Sequence, residues 1–507
     1  MILIIYPPFS NPFGPSLGPA FLKSYIEANS DFNINFYDFN IKLHNKIVNE
    51  ELSEIAEKLK NKNIKSNYFR KYSNTYYKRL QNIYTKYNKK IIELFKKNQF
   101  DYFDKEFKEI FDMVEKNNIK VIGFSHLFNQ QIFMSRYLAV RLKQKYNITT
   151  VFGGHPIAHA KKEYINKDEI DFIIFQDGEE AFLQLLNHIK KNNYNLKKII
   201  EDKQIEHIPN LIYKKQNEIK INQAEKFNLD KQIIPDYSDI NFDEYLSPEP
   251  VINLVLGRGC FWNKCTFCTS PINSEEFRIR QIDDFVNEIK YLQKKYNINY
   301  FTFEDEMIMP SIMKLIANKL IEQKINIKYA FLAKPSHKKM WDFKLLKKSG
   351  CVNIYWGVET GNQMISNLMD KGTNIPEVKQ ILKNSHDAGI SNCVFIMFGF
   401  PGETKKSFED TIELIKQDYI DFISCSTFGL QKDTRIEKNP EQFKIKKIIK
   451  KRTILSDNYS FENLDNNSLS KTELEQIKLK YSPLLNAKNK WTDKINFYRN
   501  HILVLNE

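Results

Sequence analysis

Cys260, Cys265 and Cys268 crowd one short segment, Gly257-Arg-Gly-Cys260-Phe-Trp-Asn-Lys-Cys265-Thr-Phe-Cys268, with four residues between the first two and two between the last pair. Thiolates are the ligands of iron–sulfur clusters, and three on one loop can hold three irons of a [4Fe–4S] cluster. The fourth iron then has no cysteine nearby and stays open to an outside ligand. A structural zinc site needs four protein ligands, commonly in two paired knuckles, and the sequence has no second pair. Three inert core cysteines would be out of place beside Asn263, Lys264 and Thr266. Cys351, Cys393 and Cys425 instead stand alone in apolar runs and read as core residues. Of these, Cys425 is the best placed to reach a reaction site, as a hydrogen-atom donor or substrate acceptor.

The elements that hold such a loop begin at Val251. Strands are predicted near 252–256, 299–304, 326–332, 352–358, 392–398 and 421–428, separated by amphipathic helices such as the one carrying Ile282, Phe285, Val286, Ile289 and Leu292. Gly350 and Gly389 fall where a helix end needs a left-handed residue, and Pro376 suits a first helical turn. Six such repeats make a partial or closed β/α barrel, whose chemistry sits at the carboxyl ends of its strands. The cysteine loop follows the first strand. Phe303-Glu304-Asp305-Glu306 ends the second, Tyr355-Trp-Gly357-Val-Glu359-Thr360-Gly361 the fourth, and Phe398-Gly399-Phe-Pro401-Gly-Glu403-Thr404 the fifth. Met369-Asp-Lys371-Gly372 lies beyond the fourth.

The first part of the chain also alternates strand and helix, with strands near Ile2–Tyr6, Ile34–Phe39, Val121–Ser125, Thr149–Gly153 and Asp171–Phe175. That rhythm implies a parallel sheet with helices on its faces and a ligand at its carboxyl edge. A Lys-, Asn- and Tyr-rich stretch from about 43 to 116 interrupts it as a helical insertion. Tyr and basic residues interleave around Tyr68–Tyr87, a pattern that can stack nucleic acid but more often marks a solvated helix pair. A hairpin follows, Leu211-Ile-Tyr and Ile219-Lys-Ile, and then a turn-rich bridge. After about Thr434 the sequence turns basic and reads as helical through Trp491.

Hydrophobic residues are 42% and charged residues 27% of the 507-residue chain, a balance that excludes wholesale disorder and a small disulfide scaffold. No apolar run approaches the roughly 18 residues needed to span a bilayer. Met1-Ile-Leu-Ile-Ile-Tyr reads as a buried strand and not as a leader, so a cytoplasmic protein with reduced cysteines is expected. The formal charge of +14 is spread along an Asn-, Ile- and Lys-rich chain with no basic arm, and nucleic acid is not expected as a partner.

With these motifs in order, the second half resembles the radical S-adenosylmethionine (SAM) superfamily, whose cysteine loop follows the first strand of a six-stranded partial barrel. The commonest form of that loop has three residues between its first two cysteines, and this chain has four. The first half resembles the cobalamin-binding domain fused ahead of many such barrels, through Pro7-Pro8-Phe, Pro15-Ser-Leu-Gly18, Asp38-Phe-Asn40, Gly153-Gly154-His155-Pro156 and Gly178-Glu179. The Asp-x-His-x-x-Gly motif that supplies an axial histidine in other cobalamin proteins is absent, as in many cobalamin-dependent members. The fold class implied is α/β: an N-terminal Rossmann-like cobalamin-binding domain, a partial (β/α)6 radical SAM barrel and a small helical C-terminal domain. The boundaries expected are 1–200 with the insertion at about 43–116, a hairpin and linker at 201–250, the barrel at 251–434 and the helical domain at 435–507.

The resemblance also implies cofactors and roles. Cys260, Cys265 and Cys268 would hold the cluster. Phe267, Glu304, Asp305, Glu359, Thr360, Gly399 and Pro401 would line the SAM side, and Pro8, Ser125, Gly153, Gly154, His155, Gly178 and Glu179 the cobalamin side. His126 is a further histidine within reach of such a ligand. The chemistry implied is cleavage of SAM to methionine and a 5′-deoxyadenosyl radical, with cobalamin carrying a methyl group to an unactivated carbon of a peptide or natural-product intermediate. Rearrangement, cyclisation or epimerisation with cobalamin idle or absent is the alternative within the superfamily. An iron–sulfur electron-transfer protein is the alternative outside it. A small-molecule or peptide substrate and a reductase or flavodoxin-type electron donor are the expected partners, with no membrane. The insertion and the C-terminal region lie outside the matched core and are the expected substrate-recognition elements.

Overall fold

Runs such as Ile2-Leu-Ile-Ile-Tyr6 and Val121-Ile-Gly-Phe carry apolar side chains on both faces, as a parallel strand covered by helices on each side requires. The computed structural model describes residues 1–159, 161–270, 276–452, 457–464 and 467–507. It divides into two compact units, Met1–Ala56 with Tyr76–Leu246, and Glu57–Thr75 with Ser247–Glu507.

In the first unit β1 (Ile2–Tyr6), β2 (Ile34–Asp38), β3 (Val121–His126), β4 (Thr149–Gly154), β5 (Phe172–Ile174), β6 (Leu211–Lys215) and β7 (Glu218–Ile221) form one sheet in the order β2-β1-β3-β4-β5-β6-β7. The first five strands are parallel. The order reverses between β1 and β3, the switch point where sheets of this kind open a ligand crevice at their carboxyl edge. The hairpin expected in a linker instead extends this sheet. β6 pairs antiparallel with β5 through Phe172↔Tyr213, Ile173↔Ile212 and Ile174↔Leu211, because Leu211, Ile212 and Tyr213 are as apolar and buried as the strand they meet. The insertion is helical, as its periodicity predicts, with helices Phe39–Glu51, Ser53–Leu59, Ser66–Lys96 and Asp104–Lys116. Tyr76 and Tyr84 are buried in it, which removes them from any stacking surface.

In the second unit β8 (Val251–Leu254), β11 (Tyr300–Phe303), β12 (Lys328–Ala333), β13 (Cys351–Glu359), β14 (Ser391–Phe398) and β15 (Phe422–Thr427) pair in parallel, each with its neighbours in that order. Between β8 and β11 lie two short strands, β9 (Gly257–Arg258) and β10 (Arg278–Ile279), which pair antiparallel. The ladder ends at β8 and β15, so the barrel is partial. Alternate residues separate its two faces. Phe303, Phe331, Trp356 and Val394 are buried on the outer side among aromatic neighbours such as Phe285, Trp341 and Phe343. Tyr300, Glu304, Lys328, Asn353, Tyr355, Ser391 and Phe395 share the inner side by register.

The C-terminal region is not all helical. β16 (Ile445–Arg452) and β17 (Asp457–Asn463) form an antiparallel hairpin before the helix Lys471–Lys488. Lysine-rich Ile445-Lys-Lys-Ile-Ile-Lys has good helix formers, but Ile445 and Ile448 are drawn into a cluster with Phe400, Phe428 and Phe461, and packing overrides the local preference. The last helix, Arg499–Leu505, lies on the inner face of the barrel sheet. Asn506 donates to Asn353 Oδ1 at 2.9 Å and to Ser391 Oγ. The Arg499 guanidinium reaches Glu304 at 3.1 Å and lies over the Tyr355 and Phe395 rings. Ile502, Leu503 and Val504 are buried there. Deleting residues 499–507 removes these three buried aliphatic side chains and uncovers the inner face, a loss of roughly 5 kcal/mol or more at about 1.5–3 kcal/mol per side chain. A thermal unfolding scan is expected to show a lowered midpoint, and an unchanged one would contradict this packing.

Candidate functional site

The cysteine loop is clamped at its base. The β9–β10 ladder closes it, and both oxygens of Asp305 accept backbone N–H groups at its start, from Leu256 at 2.9 Å and Gly257 at 2.7 Å. Arg280 makes a buried two-bond pair with Glu288, at 2.6 and 2.8 Å, and donates to the Val255 carbonyl at 3.0 Å. Burial lifts the Asp305 carboxyl to about 6, against the two N–H groups that hold it down. Asp305, 5% exposed, therefore orients the start of the loop through both of its oxygens.

The loop's outer part docks on the turn that ends the helix Gln363–Leu368, the element after β13. Trp262 Nε1 donates to the Asp370 carbonyl at 2.7 Å, and Thr266 donates through its backbone N–H to Met369 O and through its hydroxyl to Leu368 O. Arg435 ties Lys264 O to Asp370, both at 2.8 Å. Gly372 completes the seat. Its φ is +63°, and a Cβ there would lie 2.1 Å from the Trp262 ring, so only glycine lets ring and turn meet. Nothing in the sequence marks Met369-Asp-Lys371-Gly372 as the platform of a loop that lies about a hundred residues earlier.

Cys260, Cys265 and Cys268 are free and half-buried on this platform. Burial pushes the Cys265 thiol up to about 11, with the Lys371 ammonium opposing and the other two thiols adding to the rise. Burial also raises Cys268, whose sulfur accepts the Ser270 backbone N–H at 3.3 Å. Lys371 pairs with Glu359 at 3.0 Å. Glu359 has a φ of +68°, a sparsely populated conformation for a residue with a side chain. Three free, half-buried thiols on one loop, one of them with a backbone donor, are by their chemistry the donor set of a cluster with one open iron. Lys334 stands beside them, its ammonium 3.3 Å from the Trp262 ring centroid.

The other expected SAM-side residues divide. Glu304 shares the inner side with Tyr300 by strand alternation, and past a register shift in β13 the Glu359 carboxylate lies 3.2 Å from where a Cβ on inward Gly357 would stand. Thr360 is buried behind it and bonded to Thr411 and to the Asn362 N–H, so it braces the turn and does not line the cleft. Gly399 donates its N–H to Glu403, whose carboxyl burial lifts to about 7. Pro401 is buried, and Phe267 packs edge-on against Phe400. Cys425 is exposed. By register it shares the face of Ile396, while Ser424 aligns with inward Phe395, which directs the thiol away from the inner side.

In the first unit the expected cobalamin-side residues share the carboxyl edge of the sheet: Pro8 after β1, Ser125 in β3, Gly153 and Gly154 ending β4, His155 opening the next helix, and Gly178 with Glu179 after β5. Gly154 has a φ of +99°, and a Cβ there would lie 2.0 Å from the His126 carbonyl oxygen. Buried Gln131, which the sequence does not single out, holds two of these loops. It accepts from the Leu127 and Phe128 N–H groups at 2.7 and 2.8 Å and donates to Pro7 O at 2.6 Å. Leu127 and Phe128, 52% and 41% exposed, present apolar surface at this edge, which fits a large flat ligand. His155 is exposed.

His126 is 3% exposed and bonded at both ring nitrogens, to Gly153 O at 3.0 Å and Ser135 Oγ at 2.7 Å. It is a core histidine and not a metal ligand. Burial pulls it down to about 4, so as pH falls the unfolded chain protonates first, at about 6.5. Its contribution is full above that pH and is lost on the way down to its folded value, roughly 3 kcal/mol in all. Urea unfolding between about pH 7 and about pH 4.5 is expected to show a shallower loss for His126→Gln than for the natural chain; equal slopes would refute this.

The sequence matches the Radical SAM superfamily over residues 254–415 and the B12 binding domain over residues 81–186. It is 22% identical over 283 residues to an uncharacterised methyltransferase of Pyrococcus horikoshii, covering 54% of this chain and 59% of that one. It is 28% identical over 199 residues to the bacteriochlorophyllide d C-12(1)-methyltransferase of Chlorobaculum tepidum, covering 37% and 42%. The chain thus spans about half the length of the curated relatives it matches. The fold is similar to that of the cobalamin-dependent SAM radical enzyme OxsB, solved with aqua-cobalamin bound, at a TM-score of 0.68 and 14% identity over 95% of this chain and 66% of that one. It is also similar to the radical SAM methyltransferase TsrM of Kitasatospora setae, at 0.60 and 13% identity over 89% and 81%. Among the described residues no helix is long and apolar enough to cross a membrane. The chain carries a radical SAM domain, of the class that uses SAM and a [4Fe–4S] cluster, over residues 254–415 and a B12-binding domain over residues 81–186.

Proposed function

We propose that this chain is a cobalamin-dependent radical SAM methyltransferase acting on an unactivated carbon of a peptide or natural-product intermediate. The observation that carries the reading is the cysteine loop docked through Trp262 on the Asp370–Gly372 turn, in a chain that also carries a B12-binding domain. When bound, the cluster and SAM supply one-electron cleavage and cobalamin supplies methyl transfer. The chain's own part is to hold three thiolates in one orientation, to keep Glu304 and Glu359 on the inner side, and to offer an apolar strand edge to the corrinoid. A flavodoxin-type reductase would deliver the electron. The match to anaerobic magnesium-protoporphyrin IX monomethyl ester cyclases, 24% identical over 291 residues for that of Cereibacter sphaeroides, makes cyclisation the second reading.

Anaerobic purification with cobalamin supplied, followed by reconstitution with iron and sulfide, tests this. About four irons and about one corrinoid per chain are expected. Iron without corrinoid would remove cobalamin and favour the cyclisation or rearrangement reading. With both cofactors loaded, a methylated product supports the first reading and a cyclised, unmethylated one the second.

A further inference from the structure

Lys334, one residue beyond β12, is a buried cation that forms no ion pair with a carboxylate among the described residues. Its side chain is 5% exposed, its ammonium sits on the Trp262 ring and it donates to Lys371 O at 3.1 Å. Two of the charges near it have counter-ions of their own, and a third has a hydroxyl donor. Lys371 is paired with Glu359 and Asp370 with Arg435, while Glu306 is bonded to Ser270. Lys334 acts electrostatically on Cys260 and Cys265. A buried ammonium is costly unless an anion lies close, and an aromatic face with one carbonyl compensates it only in part. A cluster on three thiolates is such an anion, and it gains one more negative charge on reduction. Glu306 beside Cys268 and Glu359 beside Cys265 act in the opposite sense.

We propose that Lys334 is a positioning residue for the cluster's charge: seated on Trp262, its ammonium stabilises the reduced form of a [4Fe–4S] cluster held by Cys260, Cys265 and Cys268. This rests on the assignment of that cluster. Potentials of such clusters follow net charge and nearby donors, and a charge at a buried site is only weakly screened.

The test is an EPR-monitored redox titration of the reconstituted full-length protein without SAM, for the natural chain and for Lys334→Met, Lys334→Gln and Lys334→Arg. The neutral variants are expected to load iron as the natural chain does and to hold the added electron about tenfold less tightly, ~59 mV more negative for a one-electron couple. Lys334→Arg, which keeps the charge and stacks on tryptophan, is expected to stay near the natural value. Unchanged potentials in iron-loaded neutral variants, or an arginine variant displaced as far as methionine, would overturn the proposal. If the neutral variants lose iron while arginine keeps it, the charge requirement stands. If arginine loses iron with them, the position serves packing and the proposal fails. A natural chain that takes up no iron would instead overturn the cluster assignment itself.

Discussion

Cys265→Ala is expected to yield a folded chain that makes no 5′-deoxyadenosine from SAM. Cys265 is the middle thiol of the loop, and the charges of the other two thiols and of Lys371 act on it. Two thiolates do not retain a cluster that depends on three, and without a cluster no electron reaches SAM. The loop itself should survive, because its hold on the barrel runs through Asp305, Trp262 and Thr266 and not through the thiols. Circular dichroism should match the natural protein while product formation falls to background, a loss of at least about a hundredfold in rate, or some 2.7 kcal/mol. Retained SAM cleavage would show that these cysteines are not the cluster ligands.

Gly372→Ala is expected to damage the same site from the other side. The added methyl meets the Trp262 ring and its left-handed backbone is strained for any L side chain. Relief requires the ring to leave its seat, which breaks its bond to Asp370 O and removes the platform from under the cysteines. A cost of about 2–4 kcal/mol is expected from steric conflict with added backbone strain. Iron bound after reconstitution should fall by more than half with all three thiols present, as counted by a thiol reagent on the apoprotein. Full iron content would mean that the Trp262 contact does not position the loop.

Much of this architecture was legible because the signals are local. Cysteine spacing, glycine-bearing strand ends and the alternation of apolar strands with amphipathic helices each lie within a few residues, and they placed the barrel strands to within two residues of their observed bounds. Contacts across long sequence separations were not legible. Trp262 on Asp370, Lys334 on Trp262, Gln131 on Pro7 and Arg499 on Glu304 join segments with no common motif. Acidic or hydroxyl residues beside a cleft also look alike in sequence whether they face it or brace it, and Asp305 and Thr360 brace it. Cys425 differs from its neighbour Ser424 only in strand parity, which register alone decides. The hairpin β16–β17 was hidden because its lysines favour helix, while its pairing depends on Tyr459 and Phe461 packing elsewhere.

The central claim, that this chain passes a methyl group from SAM through a bound corrinoid, is tested most directly by label transfer. Protein loaded with iron, sulfide and cobalamin is reduced and given SAM bearing a deuterated methyl group, and the corrinoid is then released and weighed. The account predicts the labelled methyl on the corrinoid, with S-adenosylhomocysteine formed in equal amount. A corrinoid that binds but stays unlabelled, while 5′-deoxyadenosine accumulates, would contradict methyl transfer and leave a radical SAM enzyme of another reaction class.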